Sequence, residues 1–206
     1  MSEKKEVPIT HAVRFIFPLI NSLVTCVDRA GKPNIIGISL FNKSWGLPCE
    51  ETDPAFGVYY IMVHPARYSH QLIEETGEYV INIPTGDIIE ETWYCGTRSG
   101  RKFDKFKETK LTPIPAKVVK PPLIKECPVN IECKVVEKIK PMHSKYTFFF
   151  GKAVAVHADE GVWDGNIVNL EKCPMPLVAC AGRFHESQFI APGKVIFKNG
   201  RPLKGE

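Results

Sequence analysis

Asn21-Ser22-Leu23-Val24-Thr25-Cys26-Val27-Asp28, then Arg29-Ala30-Gly31-Lys32-Pro33, then Asn34-Ile35-Ile36-Gly37-Ile38-Ser39: on this stretch the fold turns. Two apolar, β-rich runs, Leu19 to Asp28 and Asn34 to Phe41, flank a short polar turn containing Gly and Pro. That arrangement predicts a β-hairpin. Working outward, Phe56 to Val63 is a third strand, bounded by Asp53-Pro54 and His64-Pro65, and Glu78 to Ile83 is a fourth, ended by Pro84. Val129, Ile131, Cys133 and Val135 alternate with Asn130, Glu132 and Lys134, the period of two that marks a half-buried strand. Tyr146 to His157 is a long strand, and Gly151 within it predicts a bulge or a close backbone approach.

Two short helices interrupt the strands. Ser69 is placed to cap a helix running through Glu75 and closed by Gly77. Asp87-Ile88-Ile89-Glu90 reads as a capping box opening a second helix, with Gly96 to end it. Pro113, Pro115, Pro121, Pro122 and Pro128 exclude a long helix in that region. Later come the short apolar pieces Leu177-Val178-Ala179 and Val195-Ile196-Phe197. The expectation is one mainly β domain over residues 1–206, with the first and last ~10 residues peripheral, its antiparallel strands closed into a small barrel.

The chain has 206 residues, 44% hydrophobic and 24% charged, with formal net charge +4. No apolar run approaches the ~20 residues that span a bilayer, which argues against a membrane protein. Seven cysteines, an odd number with no Cys-x-x-Cys spacing, argue against a disulfide framework, a zinc site or an iron–sulfur site. A reducing cytoplasm is the expected setting. No Gly-x-Gly-x-x-Gly, Walker, Gly-x-Ser-x-Gly or His-Glu-x-x-His pattern is present, so none of those chemistries is supported. His64 and His70 fit solvent-facing or structural roles.

Charge is unevenly placed. Ser69 to Gly96 holds six acids and no Lys or Arg, whereas Arg98 to Lys125 holds nine bases against Asp104 and Glu108. A solvated basic face and a site for a phosphate-bearing small molecule both fit this segment; nucleic acid fits less well, for no binding motif accompanies it. Two stretches suit an anion. His64-Pro65-Ala66-Arg67-Tyr68-Ser69 leads into a helix start, where open amides and Arg67 suit a phosphate, although a plain Ser cap also fits. Cys95-Gly96-Thr97-Arg98-Ser99-Gly100-Arg101-Lys102-Phe103-Asp104-Lys105-Phe106 combines glycines, hydroxyls and bases able to wrap an anion, or forms a basic surface loop.

The ordered set of motifs resembles the flavin reductase-like family of FMN-binding split β-barrels, flavoredoxin branch. It comprises the opening hairpin, Arg67-Tyr68-Ser69 with Leu72-Ile73, and Gly77-Glu78-Tyr79-Val80-Ile81-Asn82-Ile83-Pro84. It continues with Cys95-Gly96, Ser99-Gly100-Arg101, Asp104-Lys105-Phe106, Glu126-Cys127-Pro128, Glu132-Cys133, and His143 before Phe149-Phe150-Gly151-Lys152-Ala153-Val154.

The resemblance implies a six-stranded antiparallel split barrel of Greek-key order, homodimeric, holding FMN near the subunit boundary. It implies flavin contacts along Ile38, Ser39, Leu40 and Phe41, and a phosphate among Arg67, Ser69, Ser99 and Lys105. Asn82 would contact the flavin or its loop. Cys95, beside the phosphate loop, is either a redox thiol or a packed residue. His143 would stand near nicotinamide or substrate, although Lys140-Pro141-Met142 before it departs from the Gly-Asp-His common in reductases. The implied activity is an oxidoreductase in which NAD(P)H gives hydride to N5 of bound FMN, which reduces flavin, ferric iron or a partner protein. A flavoredoxin-type electron carrier without NAD(P)H activity is the alternative, and a barrel that has lost its cofactor a third.

Overall fold

A computed structural model of the chain describes residues 19–39, 41–43, 57–165, 168–179, 188–190, 197–198 and 201–202. The strands are β1 (Leu19–Ile20), β2 (Ser22–Val27), β3 (Pro33–Ile38), β4 (Phe41–Lys43) and β5 (Val58–Val63). Helix α1 (Tyr68–Thr76) leads to β6 (Glu78–Ile83), then α2 (Ile89–Thr97) and α3 (Lys105–Thr109). There follow β7 (Pro113–Ile114), β8 (Leu123–Ile124), β9 (Val129–Ile139) and β10 (Thr147–Ala158). Last come β11 (Leu177–Ala179), β12 (Gln188–Ile190), β13 (Phe197–Lys198) and β14 (Arg201–Pro202). Among the described residues no helix is long and apolar enough to cross a membrane.

The main sheet runs β3-β2-β6-β9-β10-β5-β4, every pair antiparallel. Its edge strands β3 and β4 are joined by only Ser39 and Leu40, a link that reaches about 10 Å. The two edges of the sheet must therefore come together, so the sheet curls on itself. Taken as one bent strand, β3 and β4 leave six strands in a Greek-key split barrel, as the resemblance implies. The opening hairpin registers Val24 with Ile36 and Cys26 with Asn34. Gly31 sits in its turn at φ 86°, where a side chain would be strained.

Inside the barrel, Val24, Ile36, Ile61, Ile81, Ile131 and Phe149 form one buried cluster, closed at the end by Leu72 and Ile73 of α1. On the outer face Leu23 and Ile35 pack with Cys95, Phe106, Leu111, Ile124 and Cys127. Strand β2 is therefore buried on both faces. Each fully buried aliphatic side chain contributes roughly 1.5–3 kcal/mol.

Gly151 meets both of its expectations. The β9–β10 register slips between Phe150 and Gly151, and a Cβ there would stand 2.3 Å from the Tyr79 hydroxyl.

Three local expectations need correction. Helix α1 is capped by Arg67, without a side-chain cap bond; Ser69 is inside the helix, drawn inward to Asn34 (2.8 Å). The capping box at Asp87 does not form, because the Asp87 carboxylate accepts from the Thr85 hydroxyl (3.1 Å) and a short 3-10 turn precedes α2. Gly96 lies within α2 rather than ending it. It is the point of closest approach to β3, where a Cβ on Gly37 would meet Gly96 Cα at 3.1 Å.

The alternation in β9 predicts solvent beside Asn130 and Glu132, yet both are buried. The Pro-punctuated segment between α3 and β9 folds over that face. Its Lys117, Val118 and Val119 amides donate to the Glu132 carboxylate at 2.7–3.0 Å, and His157 Nε2 completes the shell at 2.7 Å.

Candidate functional site

Beside edge strand β3 lies a cleft of about 110 Å³ walled by Asn34, Ile36, Arg67, Ser69, Ser99 and Lys105, with Arg98 and Gly100 at its rim loop. Four residues singled out in the sequence for a phosphate thus come together, from three separate elements. The cleft is large enough to take a phosphate group.

Lys105 is the first residue of α3 and is only 4% exposed. Its Nζ donates to the Ile35 carbonyl of the edge strand and the Cys95 carbonyl near the C-terminus of α2, each at 2.7 Å. An ammonium has three donors, so one remains. Among the described residues no carboxylate pairs with it, and burial lowers its pKa to about 8, with the charge of Arg67 adding to the fall. A buried cation without an anion, facing a second cation, is a site built for a negative ligand.

The other groups agree in sign. Ser69 Oγ accepts from Asn34 Nδ2, and its O–H is shared between the Cys26 thiol and the cleft. With no side-chain cap on α1, the amides of Tyr68 and Ser69 have no acceptor among the described residues, and they sit at the positive end of the helix. Ser99, exposed, heads a turn in which its carbonyl accepts from Lys102 and Phe103. Arg101 ties this turn to α1, its guanidinium 4.7 Å over the Tyr68 ring and bonded to Gln71. Gly100 is required there, since a Cβ would overlap Asn34 Oδ1 at 1.9 Å.

The remaining predicted residues are placed as follows. Asn34, Ile36 and Ile38 share one face of β3 by the period of two, so Ile38 is the next rung beyond the cleft, about 7 Å further along. Ser39 ends that strand, its hydroxyl 3.4 Å from Asn21 Oδ1. Leu40 lies outside the described residues, and of Phe41 the backbone is described, paired with Ile61.

Asn82 lies away from the cleft wall. It is fully buried, its Nδ2 donating to the Leu23 carbonyl (3.0 Å) and its Oδ1 accepting from Ile124 N (3.0 Å) and Asn130 Nδ2 (2.8 Å). Its amide joins β6 to β2, to the segment before β9 and to β9 itself. Cys95 lies beneath the cleft, contributing its carbonyl. Its thiol is fully buried and pushed up to about 12 by that burial, which suits a packed residue.

His143 is exposed in the turn between β9 and β10 and is not in the cleft wall. It precedes Tyr146, whose ring meets His64 edge-on at 5.5 Å, and His64 begins the turn to Arg67. His70, by contrast, is structural: buried, bonded to the Thr147 hydroxyl at 2.8 Å and edge-on to Phe149.

Sequence reading missed Asn34 as a site residue. Its signal is a lone polar residue on an inward rung of an apolar strand.

With this geometry in hand, the similarities to known proteins are informative. The family model described as "Flavin reductase like domain" matches residues 14–188. The flavoredoxin of Desulfovibrio vulgaris (Miyazaki F) is 26% identical, with a TM-score of 0.76 covering 97% of each chain. Nitrilotriacetate monooxygenase component B from Bacillus cereus shares the fold at a TM-score of 0.76 and 18% identity, over 96% of this chain and 99% of that one. An uncharacterized protein of Archaeoglobus fulgidus is 32% identical over 157 residues, 76% of this chain and 82% of its own length. The chain belongs to the flavin reductase-like domain family.

Proposed function

We propose that the chain is an FMN-binding oxidoreductase that accepts electrons from NAD(P)H and passes them to a flavin, ferric iron or a protein. The observation that carries this reading is the cleft wall itself. Arg67, Ser69, Ser99 and the buried, unpaired Lys105 converge on a volume suited to one phosphate, with no carboxylate in the wall. The donors present fit the phosphate of FMN, and the rung at Ile38 leads away from it along β3 towards Ser39 at the strand's end.

When bound, FMN would supply the hydride and single-electron chemistry that no side chain here offers. The protein's part is to hold and shield. Lys105 and the first amides of α1 neutralise the phosphate charge. The aliphatic rungs Ile36 and Ile38 exclude water. The β3 edge offers backbone groups free of a strand partner on that side. A homodimer, in which a second copy covers the exposed flank, belongs to this reading.

His143 is proposed to stand where the nicotinamide enters. Anaerobic mixing of the FMN-loaded protein with NADH and NADPH tests both points. Flavin absorbance bleaches within seconds with one of them, and His143→Ala slows that bleaching about tenfold with FMN still bound. Absence of bleaching with either nucleotide overturns the reductase assignment; an unaltered rate removes His143 from it.

The flavoredoxin likeness favours a second reading, an electron carrier reduced by another protein. The acidic stretch from Glu74 to Glu91 beside the basic one from Arg98 to Lys125 gives such a partner a docking pattern. A chain that binds FMN but is bleached by neither nucleotide meets this second reading.

A further inference from the structure

Lys105 carries chemistry that holding a phosphate does not use. Its Nζ is fixed by the Ile35 and Cys95 carbonyls, each at 2.7 Å. In the ammonium form a third N–H is left over. In the free amine both N–H groups stay on those carbonyls, and the lone pair takes the third position. Lys105 lines the cleft with Arg67, Ser69 and Ser99, so a ligand held by those residues meets that position.

The free amine is present close to neutral pH. Burial lowers the lysine pKa to about 8, and the charge of Arg67 adds to the fall. At pH 8 about half of Lys105 is uncharged, against under about 1% of an exposed lysine with a pKa of about 10.4. The two thiols that bear on Lys105, Cys26 and Cys95, are pushed up by burial to about 11 and about 12 and keep their protons. Lys105 is therefore the nucleophile of this cluster.

A phosphate cleft decides which electrophile such an amine receives. In an acyl phosphate a single bridging oxygen joins phosphorus to the carbonyl carbon. Phosphate oxygens held by Arg67, Ser69 and the first amides of α1 bring that carbon beside Nζ, and the same donors stabilise the departing phosphate.

We propose that Lys105 is a site of acylation by small acyl phosphates, a modification that closes the cleft to flavin. The inference rests on reading the cleft as a phosphate site. Nζ forms an amide bond to the acyl carbon, the bond from that carbon to the bridging oxygen breaks, and one Nζ proton leaves with inorganic phosphate. The amide keeps one N–H for one of the two carbonyls and carries no charge, so the cation that meets the flavin phosphate is lost.

Acetyl phosphate is the probe. The flavin-free full-length protein is incubated with it at pH 8, and acetylation is followed at each lysine by peptide mass spectrometry. Lys105 is modified about tenfold faster than the exposed Lys102 and Lys107 of the same segment, at a rate that saturates in acetyl phosphate. Inorganic phosphate and FMN each suppress the reaction at Lys105 alone.

The proposal is overturned if Lys105 reacts no faster than Lys102 and Lys107, if inorganic phosphate leaves its rate unchanged, or if acetic anhydride, which carries no phosphate, shows the same preference. An FMN titration of the unmodified protein separates the two readings. An inert Lys105 in a chain that binds FMN tightly removes only the acylation; an inert Lys105 with no FMN binding removes the phosphate site as well.

Discussion

Replacing Lys105 with methionine weakens FMN binding by about 10- to 100-fold and flattens its dependence on pH. Methionine is close in volume and fills the same space against α2 and β3, so the loss reports the ammonium and its hydrogen bonds rather than a cavity. A hydrogen bond to a charged group is worth about 1.5–3 kcal/mol, which sets that range. The pH dependence follows from burial. With its pKa lowered to about 8, the folded chain without ligand gives up the Lys105 proton as pH rises through 8, whereas an exposed lysine keeps it to about 10.4. A bound phosphate dianion holds the proton on, so by linkage the affinity of the wild type is full below pH 8 and falls above it. Phosphate's own second ionisation, near pH 6, is complete by then and does not contribute. Titrations at pH 7 and at pH 9.5, in constant salt, measure both effects. A wild-type affinity indifferent to pH across that interval would falsify the assignment of Lys105 to the phosphate.

The largest effect on stability is expected at Glu132. Glu132→Ala destabilises the fold by about 3–5 kcal/mol, since three backbone amides and the His157 ring lose their shared acceptor. At about 2–4 °C per kcal/mol for a chain this long, the melting temperature falls by roughly 10 °C. The amides belong to the segment that covers the outer face of β6 and β9, where Val119 and Leu123 pack on Val80. Its release exposes that face.

The same carboxylate gives an acid limb. Burial raises its pKa, but the hydrogen bonds from Lys117, His157, Val118 and Val119 more than reverse this, leaving it below the ordinary value. Its stabilisation is therefore complete above the unfolded-state pKa of about 4.3 and is lost as pH falls through the lower folded value. Thermal melts between pH 3 and 7 read this directly. In Glu132→Ala the acid loss is smaller than in wild type; equal losses in both would assign the acid sensitivity elsewhere.

How much of this was legible depended on whether a residue's neighbours are local. The hairpin from Asn21 to Ser39 reads correctly because its apolar runs and its turn are local, and the barrel follows from the number and shortness of the runs. The position of Ser69 does not read correctly. A serine at a helix start looks like a cap, and nothing near it in sequence shows that Asn34, on another strand, draws its hydroxyl inward. Glu132 misleads for a related reason. Its alternation predicts water, but the cover is a Pro-rich segment with no periodicity to announce it.

Lys105 is one base among nine in its segment, and only the resemblance to flavin reductases separated it from the exposed Lys102 and Lys107. Asn82 was not legible in the same way: the resemblance implies contact with the flavin or its loop, and the bonds that tie β6 to β2 and β9 come from residues distant in sequence.

On the proposed reading, this chain recognises the phosphate of a flavin in the cleft at Lys105. The most direct measurement is a parallel titration of the flavin-free protein with FMN and with riboflavin, which differ only in that phosphate. FMN binding about 100-fold tighter than riboflavin at pH 7, with the difference much reduced in Lys105→Met, is the predicted result. Equal affinity for the two would contradict the claim.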